Sequence, residues 1–510
     1  MSNLLEKSSL VLTPTAYDNG KILSVKPAPS LGSELITNGD FTNGSTGWTL
    51  GSGWSIGAGV ANASGSVNAN ISQNIFLTIG SKYEVTYTVL NASTGARVGL
   101  APNGSTVQNI RTENGTYTEI YEAVNASFYI RNLWNNGVGL SITNVSVKQA
   151  IDGDFDFTRN SSATRVNSQG LIEDITSNLP RIDYTGGEGH WLFEPQSTNL
   201  ITYSEDFSNS FYVKDSGVSV GTTNNLSPSI NANATKIDVT NNGRIYANIA
   251  TNTYYTTVFI KSGTFSHFKF AGSNIDLIAE TNSNGTIQSV GNGWYRVGKS
   301  YTGNRPFQIQ AYPDGTYSTH TTSGNYFIWG AQSEVQSFAT SYIPTSGSTV
   351  TRLQDAAFGS GSSDLINSTE GVLYFEGERL SLLGSKRTIC ISDGSLNNYL
   401  YIQLQGVSNT IRIFYKTIET GQVLLLNHNL SNELEFRKYA FRWSNNNFSL
   451  WINGIKEIEQ LNGNTATSSV LNEINFSLGG GADKFFGKTK CLAVFKEALT
   501  DAELECLTTI

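Results

Sequence analysis

Strict alternation of apolar and polar side chains is clearest in KYEVTYTVL, residues 82–90. The same alternation recurs in three further runs: ASFYIRNL (126–133), LSITNVSVK (140–148) and YTTVFIKSG (255–263). A period of two places successive side chains on opposite faces of a strand, and short strands at regular spacing are typical of β-sandwiches. Helical periodicity is almost confined to the C-terminus, where Thr500 followed by Glu503 predicts a capping box. The sequence therefore predicts an all-β protein that ends in a helical turn.

The amino-acid composition indicates which classes of molecule the protein is suited to bind. Charged residues make up 15% of the 510 residues, well below the roughly 25% of a typical globular protein. Amides and hydroxyls supply most of the remaining polarity, and such a surface can hydrogen-bond to neutral sugars. The net charge of −8 argues against nucleic acid and anionic membrane, because phosphate groups attract concentrated Lys and Arg. No secretory signal and no membrane-spanning run is expected.

The middle of the chain is polar and rich in turn-forming residues: FTRNSSATRVNSQGLIEDITSNLPRIDY (157–184), then LFEPQSTNLITYSEDFS (192–208). Turn formers interrupt it every few positions, so no helix can propagate, and its isolated apolar side chains need a neighbouring surface or another chain to order them. The stretch resembles the linker of bacteriophage fibre-type virion proteins, of the tail-fibre and head-fibre kind. A later run, IWGAQSEVQSFATSYIPT (328–345), is similar to the same proteins.

Two related openings, ELITNGDFTN (34–43) and NLITYSEDFSN (199–209), predict two domains of one fold. The first opening resembles that of the jelly-roll sandwich of carbohydrate-binding modules. Residues 438–456, KYAFRWSNNNFSLWINGIK, with the Asn445–Asn447 turn between two aromatic strands, resemble a concanavalin A-like or laminin-G-like sandwich.

These patterns and resemblances together imply five parts: an N-terminal virion-docking segment (1–32), which resembles the opening segment of phage fibre proteins, a carbohydrate-binding-like jelly roll (33–149), an extended linker (150–196), a second such jelly roll (197–352) and a concanavalin A/laminin-G-like sandwich (353–510). The docking segment has room for two short strands and no self-sufficient apolar pattern, so we expect it to contribute little to sandwich stability. The linker is expected to order against neighbouring subunits.

Catalytic residues and cofactors are not expected. Glu376 and Glu378 lie two apart on one strand, roughly 7 Å from each other, which is compatible with glycan hydrolysis. The next residue, Arg379, departs from the three-acid pattern of concanavalin-like glucanases. Asp152, Asp154 and Asp156 alternate and could hold a structural Ca²⁺, or form a solvent-facing edge. The three cysteines and four scattered histidines indicate no disulfide framework and no metal site.

Sugar-binding sites combine aromatic platforms with amide or carboxylate hydrogen bonds. The candidate glycan-binding residues are Trp48, Trp54, Trp134, Asn135, Asn136, Trp294, Tyr295 and Trp443. Core packing is the alternative for each tryptophan, and the loop that follows Trp134 favours exposure there.

The resemblance implies a non-enzymatic bacteriophage virion protein, a fibre or spike subunit. It implies a homotrimer that docks on other virion proteins through the N-terminal segment, binds a host surface glycan, and is assembled in the bacterial cytoplasm. Two alternatives stay open: a purely structural head-fibre, collar or capsid-decorating protein without a glycan ligand, and a capsular polysaccharide depolymerase.

Overall fold

The computed structural model describes residues 2–28, 30–151, 153–221, 227–230, 232–381, 386–406 and 409–509. Within these ranges strands far outnumber helices, so the all-β prediction is confirmed. The two helices there are Ser2–Lys7 and Asp501–Thr508, and neither is long and apolar enough to cross a membrane. The second helix begins with the predicted capping box, in which the Thr500 side chain accepts from the Glu503 backbone N–H.

The first sandwich, residues 30–151, packs two antiparallel sheets face to face. The larger sheet contains, in spatial order, Gly115–Glu122, Lys82–Leu90, Leu140–Ile151, Val60–Ala63 and Trp54–Gly57, with Ser30–Glu34 beside Leu140–Ile151. The smaller sheet contains Val98–Leu100, Ser127–Asn132, Ala69–Asn74 and Thr49–Leu50. Lys82–Leu90 shows why these residues form strands: its alternate side chains, from Tyr83 to Val89, are buried in the core, while Thr86 and Thr88 face outwards.

The second sandwich, residues 197–352, consists of two packed sheets with six strands each. One contains, in spatial order, Tyr212–Lys214, Arg244–Ala247, Phe307–Tyr312, His267–Phe270, Ser273–Asp276 and Thr281–Asn282. The other contains Val218–Gly221, Thr235–Val239, Gly324–Glu334, Asn252–Ser262, Trp294–Gly303 and Thr286–Ser289. Where the chain enters and leaves this sandwich, Ser197–Asn199 pairs with Val350–Arg352, so both ends lie side by side.

The third sandwich is assembled from three separated parts of the chain. Its larger sheet contains Ile182–Asp183, His190–Phe193, Gly487–Phe495, Gly371–Arg379, Arg437–Ser444, Asn447–Ile452 and Ile455–Gln460, with Ser8–Leu12 also beside Gly487–Phe495. Its smaller sheet contains Gln422–Asn429, Thr410–Thr417, Tyr399–Leu404, Arg387–Ser392 and Glu473–Asn475. The predicted aromatic hairpin is present, with Ser444 paired to Asn447 across its turn.

The N-terminal segment differs from the expectation of a docking arm. Leu10 and Leu12 are fully buried in the core of the third sandwich, and Ser8–Leu12 pairs with Gly487–Phe495. The segment also forms a helical turn and more strands than the two expected, among them Tyr17–Asp18 and Lys21–Ile22. The prediction of little contribution to stability is therefore wrong, because a local apolar pattern does not reveal a partner strand almost the whole chain away.

The predicted linker is likewise part of a sandwich. Phe157, Trp191 and Phe193 lie in the same core as Leu10. The chain leaves and re-enters the third sandwich at a small four-stranded sheet. This sheet contains Tyr17–Asp18, Lys21–Ile22, Phe155–Thr158 and Ala356–Phe358. The linker thus orders against its own chain, and the first and second sandwiches are insertions into the third. The exact boundaries of the five predicted parts stay predictions.

One piece of the linker leaves this core. Ala163–Val166 and Ile172–Ile175 pair as an isolated two-stranded hairpin, here called the linker hairpin. It packs on the second sandwich, where Ile172 lies in a small aromatic core with Trp294 and Tyr342.

Candidate functional site

Four predicted glycan-binding tryptophans are core residues. Trp48, Trp54, Trp294 and Trp443 are all at least nine-tenths buried. The indole N–H groups of Trp48, Trp54 and Trp443 each donate to a backbone carbonyl at 2.9–3.2 Å. A buried ring with a satisfied N–H is a packing element, and it has no face left for a sugar. The prediction that these four rings bind glycan is wrong.

The other candidates do not form a pocket, and Tyr295 is partly buried against the core of the second sandwich. Trp134 is 54% exposed, and its neighbours Asn135 and Asn136 follow in the same loop of the first sandwich. The Asn135 amide is already engaged, since it donates to the carbonyl oxygen of Gly95. Tyr295 belongs to the second sandwich, where its hydroxyl donates to Glu280 at 2.9 Å. The structure therefore keeps these candidates on separate sandwiches, and a glycan contact at Trp134 stays a prediction.

A cleft of about 730 Å³ lies between the linker hairpin and the second sandwich, and the sequence patterns did not indicate it. Its floor is the outer face of strands Asn252–Ser262 and Trp294–Gly303. One wall is the linker hairpin with its turn, and another is the loop 338–342. Leu380 and Lys488 of the third sandwich complete the rim.

The floor follows from strand alternation. In Asn252–Ser262, Val258 and Ile260 point into the core, so Tyr255, Thr257 and Phe259 line the cleft. The Tyr255 hydroxyl lies 3.0 Å from the Thr286 hydroxyl. The floor also needs the small residue Gly298, because a Cβ there would lie 2.7 Å from the Thr286 hydroxyl oxygen and 2.9 Å from the Tyr255 ring.

Arg296 lies at the floor among these groups. Its Nη2 donates to the Thr257 hydroxyl at 3.2 Å and to the Thr340 carbonyl at 2.8 Å. Its guanidinium carbon lies 5.4 Å from the centre of the Phe259 ring. Among the described residues no carboxylate lies within ion-pair distance of Arg296, and its buried Nε has no hydrogen-bond partner. Burial lowers the pKa of Arg296, but an arginine remains protonated at neutral pH.

The other charged groups of the cleft already have partners. Arg165 pairs with Glu173 at 2.7 Å, and Lys488 pairs with Glu378 at 2.7 Å. Asp183 accepts the backbone N–H groups of Val166 and Thr185, both at 2.8 Å. Arg296 is therefore the cation of the cleft without a direct ion pair among the described residues, although Glu334 and Glu194 favour its charged form from a longer distance.

Behind the cleft lies a buried cluster of three arginines and two carboxylates, which we name the arginine cluster: Arg159, Arg181, Arg352, Glu194 and Asp355. Arg181 is 2.7 Å from Glu194 and 2.6 Å from Asp355. Burial alone would raise the pKa of Glu194, but Arg352 and Arg181 outweigh it and hold that pKa at about 2. The cluster joins the linker to the end of the second sandwich and fixes the cleft walls.

The carboxylates considered for hydrolysis are engaged as well. Glu376 accepts from the Tyr374 hydroxyl at 3.2 Å, and Glu378 is the partner of Lys488. Of the aspartates considered for Ca²⁺, Asp154 accepts from Ser24, and Asp156 pairs with Lys21 at 2.8 Å. Asp152 lies outside the described residues. No group of three or more His, Cys, Asp or Glu suited to a metal ion occurs in the part of the chain that the structure describes.

No protein-family model matches this sequence, and no curated protein matches it. Partial similarity to solved structures includes the CBM40 module of a Ruminococcus gnavus IT-sialidase bound to α2,3-sialyllactose, with 13% identity and a TM-score of 0.26 over 30% of this chain and 93% of that chain. A leech intramolecular trans-sialidase has 18% identity and a TM-score of 0.26, over 30% of this chain and 26% of that chain. Domain 4 of the arabinanase AbnA from Geobacillus stearothermophilus, in complex with arabinotriose, has 13% identity and a TM-score of 0.26 over 34% of this chain and 83% of that chain. These partial likenesses carry no ligand or activity over to this chain.

Proposed function

We propose that this chain is a non-enzymatic bacteriophage virion protein, a fibre or spike subunit, which attaches to a host surface glycan through the cleft beside the linker hairpin. The cleft carries the proposal. Its volume of about 730 Å³ lies within the range of roughly 300–1,000 Å³ that is usual for ligand sites.

The chemistry of the lining suits a sugar. The half-buried Tyr184 and Phe338 offer ring surface to the apolar face of a pyranose, and the exposed Thr286 and Gln288 offer hydroxyl and amide groups to its hydroxyls. Aromatic surface with a few well-placed polar groups is the usual composition of a small-molecule site. Two separate parts of the chain form opposite sides of the cleft, so its shape depends on the fold as a whole.

The engagement of the cleft carboxylates supports a binding role over hydrolysis. A glycosidase needs a protonated general acid, which usually means a carboxyl group with a raised pKa. Glu194 has the opposite property, since its pKa is held at about 2. It also accepts from the Ser341 backbone N–H and hydroxyl, both at 2.6 Å, so its oxygens are not free to protonate a leaving group.

The virion assignment rests on the motifs of residues 157–208 and 328–345 and on their resemblance to phage fibre proteins. The proposal includes a homotrimer, in which several weak sites raise avidity. Light scattering on the purified chain is expected to give about three times 55.3 kDa. A monomer at micromolar concentration would remove the trimer from the proposal.

A glycan array probed with the soluble protein tests the binding role. Gln288 is exposed and lines the cleft, so Gln288→Trp should obstruct it without disturbing a core. We expect binding to weaken at least about tenfold, or 1.4 kcal/mol. The matched control is Thr118→Trp, at an exposed strand position of the first sandwich, which should bind like the wild type.

Each outcome separates the alternatives. Binding that Gln288→Trp and Thr118→Trp leave equally strong would place the glycan site elsewhere. No binding to any host glycan would favour a purely structural virion protein. Release of reducing ends from host capsule by the wild-type protein would favour a depolymerase.

A further inference from the structure

We propose that the sugar taken by the cleft is acidic and carries a carboxylate, and that Arg296 is the residue that binds this carboxylate. The inference rests on the proposed function, because it names the class of glycan for the same cleft. Arg296 lines a ligand-sized cleft and has no direct ion pair among the described residues.

The geometry holds the Arg296 guanidinium in one place. Two hydrogen bonds from Nη2, to Thr257 and to the Thr340 carbonyl, fix one end of the planar group. The ring of Phe259, 5.4 Å from the guanidinium carbon, supports its face. Neither the buried Nε nor Nη1 has a hydrogen-bond partner among the described residues. Both Nη2 hydrogens are engaged and Nε is buried, so Nη1 is the nitrogen that can donate a charge-assisted hydrogen bond to a ligand carboxylate.

The other cations of the cleft have direct ion pairs. Arg165 and Lys488 are neutralised by Glu173 and Glu378. Deeper in the wall, Glu334 is buried and fully engaged by Ser197, Gln332 and Thr340. Glu334 and Glu194 favour the charged form of Arg296 from a longer distance, so Arg296 lines the cleft as a guanidinium without a direct ion pair.

The number of cations indicates a carboxylate over a phosphate. A phosphate monoester carries nearly two negative charges at neutral pH, and burying it requires more than one cation. The cleft supplies one guanidinium without a direct ion pair, which matches a singly charged carboxylate.

The test compares one glycan with and without its charge. The probes are a uronic-acid oligosaccharide, the same oligosaccharide with its carboxyl groups reduced to alcohols, and a sugar phosphate, each titrated into the full-length wild-type protein by calorimetry. We expect the reduced oligosaccharide to bind at least about tenfold more weakly, since a hydrogen bond to a charged group contributes about 1.5–3 kcal/mol. The sugar phosphate should bind no better than the reduced form.

Variants assign the effect to Arg296. Arg296→Gln should bind the acidic and the reduced oligosaccharide equally weakly. The matched control is Arg305→Gln in the same sandwich, because Arg305 also lies over an aromatic ring, 4.5 Å from the centre of Tyr246, but outside the cleft. It should retain the wild-type preference. Thermal denaturation checks that each variant is folded, and the comparison of the two oligosaccharides on the wild-type protein needs no variant.

Failure of the inference differs from failure of the proposed function. If the protein binds acidic and reduced oligosaccharides equally well, or prefers the sugar phosphate, or if Arg296→Gln keeps the preference for the acid, the carboxylate assignment is overturned while glycan binding stands. If Gln288→Trp changes no glycan affinity, or if no glycan binds at all, the proposed function of the cleft falls, and this inference falls with it.

Discussion

Arg181 and Asp355 lie 174 positions apart in the chain and are joined by a hydrogen bond of 2.6 Å with both side chains fully buried. Asp355 also accepts from Arg159 at 3.2 Å and from the Glu194 backbone N–H at 2.8 Å. This carboxylate therefore ties two parts of the linker to the segment that follows the second sandwich. The arginine cluster fixes the place from which the linker hairpin reaches across to the cleft.

We expect Asp355→Asn to destabilise the protein by about 3–5 kcal/mol, because removing one partner leaves buried guanidinium groups without their counter-charge. Urea denaturation followed by tryptophan fluorescence measures the change. The matched control is Asp238→Asn, since Asp238 pairs with Lys236 at the surface of the second sandwich. An exposed ion pair contributes less than about 1 kcal/mol. Equal effects of the two substitutions would contradict this account of the cluster.

The N-terminal strand should matter for stability. Leu10 is fully buried in the third sandwich, whereas Leu5 is 55% exposed. We expect Leu10→Ala to cost about 2–5 kcal/mol through lost apolar burial and the cavity left behind. Leu5→Ala should stay within about 0.5 kcal/mol. Thermal denaturation of both variants is the measurement, and an unchanged melting temperature for Leu10→Ala would argue that the N-terminal strand is dispensable.

Stability should fall in mild acid because of His190. Burial lowers the pKa of His190 from 6.5 to about 4, although the Asp183 carboxylate, 3.5 Å away, favours the charged form. Lys488 and Lys490 lower the pKa further. The unfolded chain binds a proton near pH 6.5 and the folded chain near pH 4, so the unfolded state holds more protons between these values. Stability is therefore fully present above about pH 6.5 and is lost as the pH falls towards 4.

Replacement of His190 by Gln tests this assignment, because it removes the titrating group and keeps a polar side chain of similar size. Urea midpoints measured at several pH values should decline less steeply for the variant between pH 6.5 and 4. A decline as steep as that of the wild type would assign the acid sensitivity to other groups.

Trp134 should dominate solvent quenching of fluorescence. It is 54% exposed, and the other seven tryptophans are at least nine-tenths buried. Acrylamide should therefore quench the fluorescence of one accessible tryptophan. The Trp134→Phe substitution should abolish this quenchable component. Trp443→Phe, at a fully buried position, is the control that should leave the component in place. Quenching that persists in Trp134→Phe would contradict the burial of the four tryptophans predicted to bind glycan.

Local patterns predicted part of this molecule. The alternation of apolar and polar residues identified strands such as Lys82–Leu90. The three-residue spacing between Thr500 and Glu503 identified the capping box. Alternation identifies a strand but not the strand with which it pairs. It therefore did not predict the pairing of Ser8–Leu12 with Gly487–Phe495. An isolated apolar residue in a polar stretch, such as Trp191, looks equally suited to another subunit and to a distant part of the same chain.

The candidate site was harder to predict for a related reason. A tryptophan at a strand position is compatible with a platform or with a core, and the choice depends on which sheet covers it. Trp294 and Arg296 lie on the same face of one strand. Trp294 is covered by the aromatic core under the linker hairpin, and Arg296 lies just beyond it. The linker residues that line the cleft form no local sequence motif that indicates a ligand site.

The discontinuous third sandwich has a consequence for synthesis. The hydroxyl of Ser9 donates to the carbonyl oxygen of Val494, 485 positions later, at 3.1 Å. At about 5–20 residues per second, the ribosome takes roughly 25 to 100 seconds to produce the partner of this strand. The two inserted sandwiches have all their strands earlier and can fold while translation continues. During that interval the N-terminal strand, with Leu10 and Leu12, is a nascent apolar segment of the kind that chaperones bind.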